Sequence, residues 1–96
     1  MAKVAVELDR QAQRDLRKLH PEDRRAVLRA MADVLTCEPL PANANDRSLK
    51  GRTPWRRLRV GEMRILWRTV GAGESRRVAR VVHRGDLERA VRTLGD

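Results

Sequence analysis

Between Trp55 and Arg68 the chain reads WRRLRVGEMRILWR, with arginine at 56, 57, 59, 64 and 68. Arginine carries a planar fork of N–H donors that grips phosphate or carboxylate through two bonds at once. The Gly61-Glu62 pair between two β-rich runs predicts a two-residue hairpin with a type II′ turn. In that register Val60 faces Met63, Arg59 faces Arg64, Leu58 faces Ile65 and Arg57 faces Leu66. One face then carries Leu58, Val60, Met63, Ile65 and Trp67, and the other Arg57, Arg59, Arg64 and Arg68, with Leu66 and Trp55 among them. A one-residue slip would turn Leu58 and Val60 onto the polar face, so the register is well determined. Like charges directly opposed across a ladder cost a fraction of a kcal/mol or more. A chain shaped only for stability gains nothing from opposing Arg59 and Arg64, whereas a site for an anion does. The alternative is that the side chains diverge into water, with Glu62 or an acid of the last helix neutralising them.

Charge across the rest of the chain agrees with an anionic partner. The net charge is +9, and residues 1–46 hold 8 Lys and Arg against 8 Asp and Glu, so all of it belongs to residues 47–96, with 14 against 5. Of the 22 basic residues 19 are arginine. A polyanion is the expected partner.

The elements that must position these groups follow from periodicity. Val4, Val6 and Leu8 alternate with Ala5 and Glu7 as a short strand. Asp9 caps a helix expected over 10–19, in which Ala12, Leu16 and Leu19 share a face. His20-Pro21 ends it and Pro21 opens a second helix over 21–37, with an apolar stripe of Val27, Leu28, Met31, Val34 and Leu35. The segment 38–54, with Pro39, Pro41, Gly51 and Pro54, reads as irregular and ends as a basic loop through Arg47, Lys50 and Arg52. The hairpin follows, then a turn at Gly71–Glu74, a strand RRVARVVH and a short helix at about 86–94. The expected fold class is α+β: a small, mostly antiparallel four-stranded sheet, an N-terminal helical hairpin on one face and a short C-terminal helix, in the order β-α-α-β-β-β-α.

Ninety-six residues make one domain, 1–96. No run of about 18 apolar residues exists to span a membrane. The single cysteine, Cys37, permits no internal disulfide, and no Cys or His spacing suggests a structural zinc, so neither metal nor cofactor is expected. The opening MAKVAVELDR lacks the apolar segment of a secretory signal, and a cytoplasmic setting is the default expectation.

Leu49-Lys50-Gly51, Trp55, Arg57-Leu58-Arg59-Val60-Gly61, Met63-Arg64-Ile65-Leu66-Trp67 and Val81-Val82-His83-Arg84 together resemble the RelE/ParE superfamily of type II toxin–antitoxin toxins, over nearly the whole chain. The resemblance implies a small sheet with a helical hairpin on one face and a basic concave surface on the other. For RelE-like members it implies a metal-independent endoribonuclease that cuts messenger RNA in the ribosomal A site and so inhibits translation. For ParE-like members it implies DNA gyrase as the target, and a catalytically silent basic binding module is the third reading. Either toxin reading implies a cognate antitoxin in a hetero-oligomeric complex.

Carried over by motif, Arg57, Arg59, Arg64 and Arg84 would hold the phosphate and stabilise the phosphorane, with Lys50, Arg52 and Arg68 as further RNA contacts. Arginine is a poor proton carrier, since its pKa exceeds about 12. His83, the only histidine near this set, titrates in a suitable range, though it can equally be a strand-end residue bonded to backbone. Ribonucleolytic members often carry a tyrosine near the start of the last helix. This chain has no tyrosine, and the position holds Glu88, either a base or a solvent-facing helix residue.

Overall fold

The computed structural model describes residues 2–95. Its elements are β1 (Ala2–Lys3), β2 (Ala5–Leu8), α1 (Arg10–Lys18) and α2 (Pro21–Ala30), which runs on as a π-helical turn, Met31–Leu35. Then come β3 (Cys37–Glu38), β4 (Asp46–Ser48), β5 (Arg56–Val60), β6 (Met63–Val70), β7 (Ser75–His83) and, after one 3-10 turn, α3 (Leu87–Val91). The class is α+β as expected, with two corrections. The main sheet has five strands, in the order β2-β7-β6-β5-β4, and β1 pairs with β3 apart from it. The fifth strand is β4, from the segment read as irregular: Asp46, Arg47 and Ser48 align antiparallel with Leu58, Arg57 and Arg56. Its three polar residues offer no alternating pattern, and its strand conformation comes from the ladder with β5.

The helical hairpin is also arranged differently. Rather than running to residue 37, α2 gives way to the π turn after Ala30. The two helices lie over different strands, α1 along β7 and α2 across β5 and β6. Arg24 of α2 fixes the turn between them, donating from Nε to Leu16 O (2.9 Å) and from its terminal nitrogen to Arg17 O and Leu19 O. These carbonyls lie at the end of α1, where helical partners run out; of the three, Leu16 O also accepts the Leu19 N–H.

One sheet face carries the main core. Ala12, Leu16, Val27, Met31 and Leu35 of the helical layer meet Leu58, Met63, Ile65, Trp67, Val78 and Val81. Side chains of this size contribute roughly 1.5–3 kcal/mol each when fully buried. Sequence reading missed a second core on the opposite face, where Ala90 and Leu94 of the C-terminal segment cover Leu49, Trp55, Leu66, Ala79 and Val82. A bulge in β7 serves both cores. Leu66 is paired with Arg80 but Trp67 with Val78, so Ala79 is the extra residue. The extra residue shifts the alternation, turning Val78 and Val81 to the helices and Ala79 and Val82 to α3.

Asp15 of α1 closes the edge of β7. Beyond Val78 this strand has no further partner in β2, and the Val81 N–H donates to Asp15 Oδ2 at 2.9 Å. Arg80 Nε donates to the same oxygen at 2.8 Å, and Gln11 Nε2 to Oδ1 at 3.1 Å.

Candidate phosphate-binding face

The hairpin has the register read from the sequence: Val60 opposes Met63, Arg59 opposes Arg64, Leu58 opposes Ile65 and Arg57 opposes Leu66. Gly61 makes it possible, with φ +58°, while Glu62 keeps a negative φ, as a II′ turn requires. On the face away from α1 and α2, the second core covers the β6–β7 half of the sheet, and the β4–β5 half is left basic. Two arginine pairs stand there as neighbouring rungs, Arg59 opposite Arg64 and Arg47 opposite Arg57. Arg47 is the residue sequence reading left out of the site. Its signal was the like-charged opposition to Arg57, legible only once β4 is known to be a strand.

Arg64 is the best held of the four, at 9% exposure. One terminal nitrogen donates to Gly61 O and to Met63 O, both at 2.9 Å, tying the guanidinium to the turn. Burial lowers its pKa below the ordinary arginine value, and the positive charges of Arg59, Arg57 and Arg84 lower it further against the opposing pull of Glu62. The same four arginines singled out from the sequence therefore share one field, and a bound anion would relieve their repulsion. Arg59 is exposed. Arg57 is half-buried, with one terminal nitrogen buried and unpartnered. Arg84 stands exposed at the turn end of the sheet, its Nε 2.6 Å from Glu62 Oε2. Neutralisation by Glu62 thus reaches Arg84 directly and leaves the paired rungs without an acid contact among the described residues.

Other basic candidates are engaged in structure. Arg52 donates to Leu94 O at 2.6 Å, and Trp55 Nε1 donates to Gly95 O at 2.7 Å, together fastening the C-terminal segment over the second core. Arg68 lies over the Trp55 ring, 5.6 Å from its centroid. Lys50 is exposed beside a groove of about 490 Å³, shared with Leu49, Leu87, Glu88, Val91 and Arg92.

No family model matches the chain, and no curated protein matches it in sequence. Solved structures do. The toxin–antitoxin complex RelBE2 from Mycobacterium tuberculosis contains a chain 28% identical to this one, with TM-score 0.74, covering 85% of this chain and 99% of that one. The fold is RelE-like. A RelB–RelE antitoxin–toxin complex from Methanococcus jannaschii aligns with TM-score 0.70 at 20% identity, over 88% of this chain and 96% of that one. A variant of the toxin RelE from E. coli in the free state aligns with TM-score 0.68 at 21% identity, over 97% and 93%.

On this RelE-like fold the two proton-carrier candidates fall on different sides. Glu88 is exposed on α3, the helix that packs on the arginine-bearing face, and it shares the groove with Lys50. His83 alternates with Val82 and so turns to the helical side, into a cleft that it lines with Met63, His20 and Asp23. Its Nδ1 accepts the Gly85 N–H at 3.1 Å, capping the 3-10 turn. Among the described residues no group of three or more His, Cys, Asp or Glu converges as a metal site. No helix among them is long and apolar enough to cross a membrane.

Proposed function

We propose that this protein is the toxin of a type II toxin–antitoxin module and inhibits translation by cutting messenger RNA on the ribosome. The observation that carries this reading is the Arg59–Arg64 rung, a like-charged pair built into a hairpin of a RelE-like fold and making no ion pair among the described residues. RNA cleavage by the neighbouring 2′-hydroxyl passes through a phosphorane with more negative charge than the starting phosphodiester. Fixed cations therefore stabilise the transition state more than the ground state. Arg59 and Arg64 take that role, with Arg57 and Arg84 adding to the field, and Lys50, Arg52 and Arg68 extending the basic surface along which RNA approaches. Glu88, on the arginine side, takes the proton of the 2′-hydroxyl, and the leaving 5′-oxygen takes its proton from water, because His83 lines the cleft on the opposite face of the sheet. The ribosome supplies the strand in position, and a cognate antitoxin, as in the RelB–RelE complexes, holds the toxin in check in the cytoplasm.

General acids and bases contribute about 10²- to 10⁴-fold. Glu88→Gln is expected to slow cleavage about 100-fold, and His83→Gln, on the far face of the sheet, to leave the rate within about threefold of the parent. A Glu88→Gln rate within about threefold of the parent takes the role away from Glu88.

The reading as a whole is tested by inducing the protein in growing bacteria. Pulse-labelling should show amino-acid incorporation falling within minutes, before any change in plasmid supercoiling. Relaxed plasmids ahead of any loss of protein synthesis would assign the toxin to gyrase instead. Unimpeded growth would leave a binding module.

A further inference from the structure

The second rung, Arg47 with Arg57, is not needed to hold one phosphate, and keeping it carries costs. Two like charges oppose each other on a ladder. One terminal nitrogen of Arg57 is buried without a partner among the described residues, a state that is ordinarily destabilising. The Arg47 side chain is exposed and makes neither a hydrogen bond nor an ion pair among the described residues.

The edge strand that carries Arg47 is nevertheless held firmly. Asp46, its side chain 3% exposed, accepts Trp67 Nε1 at 2.7 Å and Arg56 Nε at 2.6 Å on the main-core face. The Arg59 N–H donates to Asn45 O at 2.9 Å. With Asp46 locked inward, the pleat turns Arg47 outward beside Arg57.

We propose that Arg47 and Arg57 form a second phosphate subsite, next to the Arg59–Arg64 rung, so that the protein grips a single RNA strand by two consecutive phosphates. The inference rests on the RNA-cutting reading and deepens it. Arg57 and Arg59 are two residues apart on β5, about 6.8 Å at roughly 3.4 Å per residue, close to the separation of successive phosphates along an extended strand. Each rung also suits a phosphodiester better than a carboxylate. The two oxygens of a carboxylate lie in one plane and are satisfied by a single guanidinium fork. The two free oxygens of a phosphodiester diverge tetrahedrally and accept forks arriving from two neighbouring strands. A two-phosphate grip fixes which linkage lies over Arg59 and Arg64, and so sets the cleavage register.

The test measures binding of the intact protein to a fluorescent single-stranded RNA decamer, by anisotropy, across a range of salt concentrations and without ribosomes. Each neutralised phosphate contributes about 0.7 to the slope of log K against log salt for single strands. Arg47→Ala is expected to reduce the slope by about that amount and weaken binding several-fold. Arg47→Lys should keep the slope and recover only part of the affinity, because the charge returns without the fork. An unchanged slope in Arg47→Ala overturns the inference. So does an unchanged slope accompanied by lost binding of poly-glutamate, which would give Arg47 to an acidic protein partner. Because the assay needs no cleavage, the subsite stands or falls separately from the ribosome-dependent reaction.

Discussion

Arg64→Ala is expected to lower message cleavage by a factor of about 10² to 10³, the usual consequence of removing one preorganised donor from a developing oxyanion. Arg64 should be the most sensitive of the arginines because it is already held in place. It is 9% exposed and tied to two carbonyls of the hairpin turn, so little ordering remains to be done when the phosphorane forms. Its depressed pKa points the same way, since burial and the charges of Arg59 and Arg57 leave it poorly compensated until an anion arrives. Arg57→Ala added to Arg64→Ala should abolish growth arrest, while antitoxin binding is weakened but persists, since a wrapping partner makes contacts beyond the basic face. The expected kinetic signature is a fall in kcat larger than any rise in KM. Arg64→Lys should recover only part of the rate, because an ammonium cannot contact the turn and the phosphate with the same fixed geometry. Undiminished cleavage by Arg64→Ala would remove the phosphate-site assignment.

Asp15→Ala should cost about 3 kcal/mol of stability, a large share of the 5–15 kcal/mol typical of a domain. Asp15 is 8% exposed and accepts from Gln11, from both sides of the Arg80 fork and from the Val81 N–H. Truncation leaves the Val81 N–H unsatisfied where β7 has outrun β2 and strips Arg80 of its counter-charge. Asp15→Asn keeps an acceptor for Val81 and should lose roughly half as much. Urea unfolding of the three proteins measures this directly. An Asp15→Ala midpoint equal to that of the parent would mean that water closes the strand edge as well as the carboxylate does. Since the partners of Asp15 are Gln11, Arg80 and Val81 and none of the paired arginines, the variants should still bind RNA at temperatures where they remain folded.

The sequence carried most information where a period was long enough to repeat. Leu58 to Val60 and Met63 to Ile65 alternate strictly on either side of Gly61-Glu62, which is why the hairpin register and the opposition of Arg59 and Arg64 could be read residue by residue. β4 could not be found that way. Asp-Arg-Ser has no apolar member, and what makes it a strand is a ladder to β5 and the link from Asp46 to Trp67, both contacts distant in sequence. The bulge at Ala79 was hidden because RRVARVVH satisfies a regular strand equally well, and only the second core demands the extra residue. The same core explains Trp55. It sits on the arginine face, as the alternation required, but α3 and the following turn cover it, so it packs instead of meeting solvent. His83 and Arg84 adjoin in sequence, yet the pleat sends His83 toward the helices, a separation that motif order alone does not reveal.

The most direct test of the central claim is a purified translation reaction on a defined message, with new 5′ ends mapped by primer extension after the protein is added. Cuts are expected only when ribosomes are translating the message, and they should disappear with Arg64→Ala. An intact message with translation continuing at full protein concentration would contradict the proposed activity.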